Sequence, residues 1–310
     1  MGVGDRPMVL GYDKDWFPDG ADAGARTLSI WVAIPCAILA MIPAIFIKGK
    51  STVDRTDFKP INLKSIGSSL GDIARSTGEA FAIPQFRRLA FATFLVFNSF
   101  NVIAAFTFFI IVHYLFGSDA GAAGKWPALH GCIGALITTF MVIPIVAFMA
   151  RRIGKKRTFI ISQAISVIGY VLFWFLFVPG KPHLFLWALP FHSFGIGGLF
   201  TLMMSMTADV CDVDELNSGQ RREGTIGAVY WWMVKFGNAF AGLLGGLIMT
   251  VVGFDPEAVT EAALTGMRLA YTFLPIVGVV GAILIMRNYD ISEERAHDVR
   301  RQLLERKVAS

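Results

Sequence analysis

Residues Leu89–Phe116 read LAFATFLVFNSFNVIAAFTFFIIVHYLF, a run of 28 residues without Asp, Glu, Lys or Arg. A helix rises 1.5 Å per residue, so about 20 predominantly apolar residues cross the ~30 Å hydrocarbon core of a bilayer. Six further stretches pass the same test: Thr27–Ile47, Trp126–Ala150, Thr158–Gly180, Pro182–Ala208, Gly224–Phe254 and Leu269–Met286. Lys235 is the only Asp, Glu, Lys or Arg inside any of the seven. In hydrocarbon a backbone must satisfy its own hydrogen bonds, and a helix does so within one segment. The expected fold is an all-α polytopic membrane protein with about seven transmembrane helices.

Composition agrees. The chain has 310 residues, 55% hydrophobic and only 16% charged, whereas a soluble domain carries about 25% charged residues. Thr27–Ile47 follows an acidic segment and is too long for the apolar core of a cleaved signal peptide. Lysine and arginine accumulate on the cytoplasmic side of membrane proteins. In alternating connections they divide 21 to 6, with the larger group on the side that carries the C-terminus. The expected placement is therefore a cell (inner) membrane with the C-terminus cytoplasmic and the N-terminus outside. The net charge of +5 follows from loops lying against an anionic leaflet and calls for no nucleic-acid partner. Cys36, Cys132 and Cys211 match neither a disulfide framework nor a metal site.

Five regions follow: an external segment 1–26, a lone transmembrane helix 27–48, a cytoplasmic linker 49–88, a six-helix bundle 89–286 and a cytoplasmic tail 287–310. Within the linker, Ile61, Leu63, Ile66, Leu70, Ile73 and Ala74 fall close to helical spacing and predict a short amphipathic surface helix. The connections are brief: Gly117–Lys125, Arg151–Arg157, a turn near Pro179–Pro182, Asp209–Glu223 and Asp255–Arg268. The charged tail reads as a solvated helix. Trp16 and Trp126 read as interface anchors, and His113 and His130 as interfacial. Six helices behind a long linker, preceded by one, resemble the second half of a repeat-built bundle plus the last helix of the first.

Lys235 is the expensive residue. A lysine at mid-bilayer costs about 2.5–3.5 kcal/mol on insertion scales, so it borders a polar passage or has a partner. Trp231 and Asn238 lie one turn to either side on the same face. An indole, an ammonium and an amide on one stripe suit a hydroxylated ligand; the alternative is a lysine neutralised by a neighbouring carboxylate. Asn98 and Asn101 share a face of the second helix, and their amides need partners from a helix or a ligand. His192 is a weaker candidate of the same kind. Gly237, Ala241 and Gly245, and in parallel Gly242 and Gly246, permit close helix approach.

The segment Asp209–Gly224, DVCDVDELNSGQRREG, ends one helix with four acids and starts the next behind two arginines. Acids at a helix C-terminus oppose its dipole, so Arg221 and Arg222 are the nearest compensating charges. The set is either a gate that opens when helices tilt or a solvated loop, where exposed pairs contribute about 0–1 kcal/mol. The carboxylates lack metal-ligand spacing. The turn Arg151-Arg-Ile-Gly-Lys-Lys-Arg157 fixes topology, and its cations can reach acids on neighbouring loops. No nucleophile elbow, zinc-protease pattern or phosphate loop is present, which argues against an enzyme and against any cofactor.

The run Ala208–Gly224, followed by Lys235-Phe-Gly-Asn-Ala, resembles the glycoside–pentoside–hexuronide:cation symporters, the melibiose-permease-like members of the major facilitator superfamily. The resemblance covers nearly the whole chain. It includes the acidic end of helix ten, the Arg-Arg-Glu-Gly start of helix eleven and the helix-eleven lysine. The basic turn looks like the superfamily's loop between helices eight and nine, without the acidic residue often found there. On this mapping the seven helices correspond to helices 6–12 of twelve. The resemblance implies a sugar and cation cavity beside Lys235, shaped with Trp231, Asn238, Asn98, Asn101 and His192. It also implies a cytoplasmic gate of Asp209, Asp212, Arg221, Arg222 and Glu223. The expected function is sugar:cation symport by alternating access, with Na+ or H+ as coupling ion. The family's cation-coordinating acids lie on first-half helices, so the chain is expected to be a fragment or to pair with a separate N-terminal half-bundle. Alternatives are a major facilitator carrying an organic anion, lipid or drug, and a seven-helix receptor.

Overall fold

The computed structural model describes residues 21–46, 63–256 and 258–309. Trp16, Ile61, most of the external segment and residues 49–62 of the linker lie outside the described residues. The described chain is helical: α1 (Ala21–Phe46), α2 (Leu63–Ala82), α3 (Pro84–Phe109), α4 (Ala120–Ala123), α5 (Trp126–Ile137), α6 (Ile143–Ile153), α7 (Lys155–Leu176), α8 (Leu189–Ser218), α9 (Glu223–Val251), α10 (Glu261–Arg287) and α11 (Glu293–Ala309). A π-helical stretch, Ile110–Leu115, extends α3, and another, Thr138–Val142, joins α5 to α6. A 3₁₀ turn, Pro182–Ala188, leads into α8.

Among the described residues six helical segments are long and apolar enough to cross a membrane: Pro84–Leu115, Gly121–Ile153, Lys155–Leu176, Pro182–Ser218, Glu223–Val251 and Glu261–Arg287. They coincide with the six expected after the linker. The seventh expected span is helical as α1, but its apolar part Ser29–Pro43 is shorter than the others. Every described side chain on α1 is exposed. The linker helix forms as α2. The side chains of Leu63, Ile66 and Leu70 lie outside the description, while Ile73 is exposed.

Prolines open several of these helices, Pro84 and Pro127 among them, where a missing N–H costs nothing. Gly154, at φ 81°, is the only residue between α6 and α7. Gly219, at φ 71°, closes α8 in the left-handed region. Both positions favour glycine because it has no Cβ to clash.

α3 lies centrally, packed on α8, α9 and α10. One apolar cluster joins its first half (Phe86, Leu89, Val96) to Leu202, Met206 and Val210 of α8 and Tyr230 and Val234 of α9. A second joins its other half (Val102, Ile103, Phe106) to Phe173 and Tyr271. Lipid is as apolar as leucine, so helices associate through close packing and interhelical hydrogen bonds. Thr93 and Tyr230 share a buried bond of 2.7 Å. α7 and α8 meet through Ser162, Ser166 and Gly169 against Gly198, Gly195 and His192. Gly237, Ala241 and Gly245 are buried on one side of α9, and Gly237 faces Phe94 and Phe97 of α3. Gly242 and Gly246 have open space around them, so only the first small-residue row packs within the described bundle. Leu243, Val251 and Val277 are among the large apolar side chains left outside, where lipid would meet them.

Two expectations need correcting. The four acids do end a helix, as expected, but the connection is shorter than Asp209–Glu223: α8 continues to Ser218 and α9 begins at Glu223. The tail is not a solvated helix: α11 docks on α8 and buries Ala296, Val299 and Leu303. These three positions repeat at helical spacing and give the tail an apolar face.

Candidate functional site

The structure divides the expected site residues into three places. The first is the outer side of α9. Trp231 is 42% exposed, and Lys235 and Asn238 are exposed on the same stripe. Lys235 has neither an ion pair nor a hydrogen bond among the described residues. Asn101 donates to Asn238 Oδ1 at 2.7 Å and to its own helix at Phe97 O. Asn98 donates to Gly237 O at 3.4 Å. The two asparagines of α3 therefore each donate to α9, and Lys235 is left open beside them.

The second place is a cavity of about 550 Å³ bounded by α3, the α5–α6 segment and α8. His192 lines it, apart from the other five residues expected to share its cavity. Thr107, Thr138, Thr139 and Ser193 add hydroxyls, and Phe100 adds an aromatic wall. His192 stacks on Phe100 at 5.9 Å and meets Tyr170 and Phe173 edge-on. His130 also lines the cavity, with its ring 6.4 Å from that of His192. Its ring therefore faces the bundle rather than pointing away from it. Sequence reasoning missed it because it lies one turn beyond Trp126, where an interfacial ring is expected. The available signal was the row His130, Gly134, Thr138, a polar and small stripe on an apolar helix. π-helical turns recur at functional sites, and the Thr138–Val142 turn places Thr138 and Thr139 on this wall.

The third place is the charged end. Asp209, with a side chain 4% exposed, receives Lys155 Nζ and Arg300 Nη2, each at 2.5 Å. Arg300 also reaches Asp212 at 3.4 Å. Arg221 bonds Glu215 at 2.7 Å, Glu223 at 3.0 Å and Asp212 at 3.4 Å. Arg222 grips Asp214 with two nitrogens at 2.6 and 2.9 Å and extends to Glu79 of α2. Such two-pronged guanidinium–carboxylate pairs combine strength with fixed geometry. Hydrogen bonds to Glu215 and Glu223 hold the Arg221 pKa above its usual value, and the Asp214 bond does the same for Arg222. Asp209, Asp212, Arg221 and Glu223 are thus joined in one network through Arg300 and Arg221, while Arg222 belongs to a second cluster with Asp214 and Glu79. Lys155, belonging to the basic turn, joins the first as a cation reaching a neighbouring acid. Arg300 and Glu79 were not foreseen; the apolar spacing in α11 was the signal for the first.

A bundle of bilayer-length helices, with a half-open, mostly apolar cavity along α3, α5–α6 and α8 and charged clusters across one end, has the build of a polytopic membrane carrier. The sequence profile of the MFS/sugar transport protein family matches residues 75–293, and the chain belongs to that family. This agrees with the resemblance carried by Ala208–Gly224 and Lys235. The chain is 29% identical to the glucuronide carrier protein homolog of Escherichia coli over 53% of this chain and 36% of that protein. It is 26% identical to the isoprimeverose transporter of Lactiplantibacillus pentosus over 47% and 31%. A putative glycoside/cation symporter of Escherichia coli is 26% identical over 35% and 24%. The chain spans about a third of the length of the curated relatives it matches. These relatives are named as carriers and symporters, not enzymes.

Proposed function

We propose that the chain supplies one half-bundle of a secondary active transporter that moves a glycoside, pentoside or hexuronide together with Na+ or H+. The observation that carries this reading is Lys235, exposed near the middle of α9 without an acid among the described residues. An ammonium facing hydrocarbon there would be costly, so the α9 face of Lys235, Trp231 and Asn238 borders a water-accessible passage. The passage is completed by an N-terminal half-bundle docked against that face, as in carriers built from two repeats. The relatives' names and their greater length support it.

The charged end lies on the cytoplasmic side of the inner membrane, following the lysine and arginine bias. There the clusters that hold Asp209, Asp212, Arg221, Arg222 and Glu223 close the inner mouth. Alternating access opens it by tilting α8 against α9, exchanging interhelical pairs for water.

Membrane vesicles containing the transporter, assayed for counterflow of a labelled glycoside, test the reading. Lys235→Leu is expected to abolish most counterflow while leaving the amount of folded protein unchanged. Counterflow equal to the unsubstituted protein would remove Lys235 from the mechanism.

A further inference from the structure

Arg268 lies near the start of α10, one residue before the apolar run Leu269–Met286. Among the described residues it forms no ion pair. Its guanidinium carbon is instead 4.0 Å from the centre of the Tyr114 ring and 4.5 Å from that of Trp174. Both distances suit attraction between a cation and an aromatic face. Nη2 donates to the Trp174 carbonyl at 3.0 Å. Three segments thus meet at one cation: the π-helical end of α3, the last turn of α7 and the start of α10.

The depth of this clasp follows from α7. Lys155 opens that helix and pairs with Asp209 in the charged end. From Lys155 to Trp174 the helix rises about 28 Å, nearly the ~30 Å of the hydrocarbon core. The clasp therefore lies at the opposite membrane surface, where tryptophan and tyrosine collect. Apolar surface adjoins it: Phe175, Leu269 and Phe273 are exposed, and the Phe273 ring lies 6.0 Å from that of Trp174.

Arginine has five N–H donors and keeps its charge at any ordinary pH. Among the described residues only Nη2 is engaged, and neither Nε nor Nη1 is sealed from the surface. Bracing the three segments needs only the rings and the one carbonyl bond. It leaves a positive charge unbalanced at the edge of a low-dielectric region, where attraction to an anion is strengthened. A soluble anion would supply the charge but leave the neighbouring apolar side chains unused. A phospholipid supplies both parts. Its phosphate accepts parallel bonds from the guanidinium fork, and its chains lie along Leu269, Phe273 and Phe175. A zwitterionic headgroup would bring a second cation to rings that already hold one, so a net-anionic headgroup fits better.

We propose that Arg268, Tyr114 and Trp174 form a binding site for the phosphate of an anionic phospholipid, in the leaflet away from the charged end. The site is separate from Lys235 and does not depend on which solute is carried.

Photolabelling of the purified chain in neutral detergent tests this, using phosphatidylglycerol with a diazirine beside its glycerol backbone and mapping the labelled peptides. Label is expected on the segments that hold Trp174 and Phe273. Excess unlabelled phosphatidylglycerol should remove it, whereas the same excess of phosphatidylcholine or inorganic phosphate should not. Arg268→Gln keeps an N–H donor and is expected to cut this labelling about tenfold, the worth of a hydrogen bond to a charged group. Labelling near Arg151 and Arg157 should stay constant and serves as the internal reference. Should that variant fail to fold, Arg268→Lys retains the charge without the planar fork and is expected to lower labelling about threefold, the worth of one weaker hydrogen bond. Undiminished labelling in the folded variant would make Arg268 a brace between helices and overturn the proposal. Absence of label at Trp174 and Phe273, or its removal by phosphatidylcholine or inorganic phosphate, would overturn it as well.

Discussion

Gly169→Ala is expected to destabilise the bundle by about 3 kcal/mol, the upper end of the usual cost of overpacking. A Cβ at Gly169 would lie 2.7 Å from His192 Cα and 2.9 Å from Phe191 C. Both are backbone atoms, so no rotamer change relieves the clash, and α7 and α8 must separate. That separation would also loosen Ser162 from Gly198 and Ser166 from Gly195. Gly242→Ala is the control, because nothing lies within 4 Å of its added methyl. The check is the temperature at which the detergent-solubilised protein loses its monodisperse peak. A clear drop for Gly169→Ala and none for Gly242→Ala is expected. Equal behaviour would mean that the α7–α8 crossing is looser than the structure shows.

Asp209→Asn is expected to release α11 from α8. The carboxylate is the shared acceptor of Lys155 and Arg300. An amide would leave two cations without their common counter-charge. Hydrogen bonds to charged groups contribute about 1.5–3 kcal/mol. The lysine is 15% and the arginine 43% exposed, so both can turn toward water, and the net loss is about 1–2 kcal/mol. Limited trypsin digestion reads it directly, because Arg300, Arg301 and Arg306 become cleavable once the helix lifts. Faster loss of the C-terminal peptide is expected for Asp209→Asn. Asp298→Asn should digest at the unsubstituted rate, since Asp298 pairs with Arg301 of its own helix and both are well exposed. Identical digestion of both variants would show that α11 is held by Ala296, Val299 and Leu303 alone.

The parts of this architecture that depend on chain length and local spacing were legible from the sequence. Six spans follow from unbroken apolar runs, because the hydrocarbon thickness sets the required length whatever surrounds it. Asn98 and Asn101 were read as sharing a face, and that face meets α9. The long-range pairings were not legible. Asp209 is paired with Lys155 and Arg300, which lie 54 and 91 residues away in sequence. No local pattern reports such partners. His130 shows the same limit: position along an apolar helix does not say whether a ring faces the headgroups or the bundle interior. Lys235 was conspicuous through its cost alone; His192 lines the pocket between α3, α5–α6 and α8, while Lys235, Trp231 and Asn238 lie on α9.

The most direct test of the account is the water accessibility of position 235. Cys36, Cys132 and Cys211 would be replaced first, and Lys235→Cys introduced in that background. Sealed membrane vesicles would then be treated from each side with a membrane-impermeant thiol reagent, with and without substrate. Labelling from at least one side, altered by substrate, is the result the account predicts. A thiol unreachable from both sides in every condition would place that face of α9 against lipid and contradict the account.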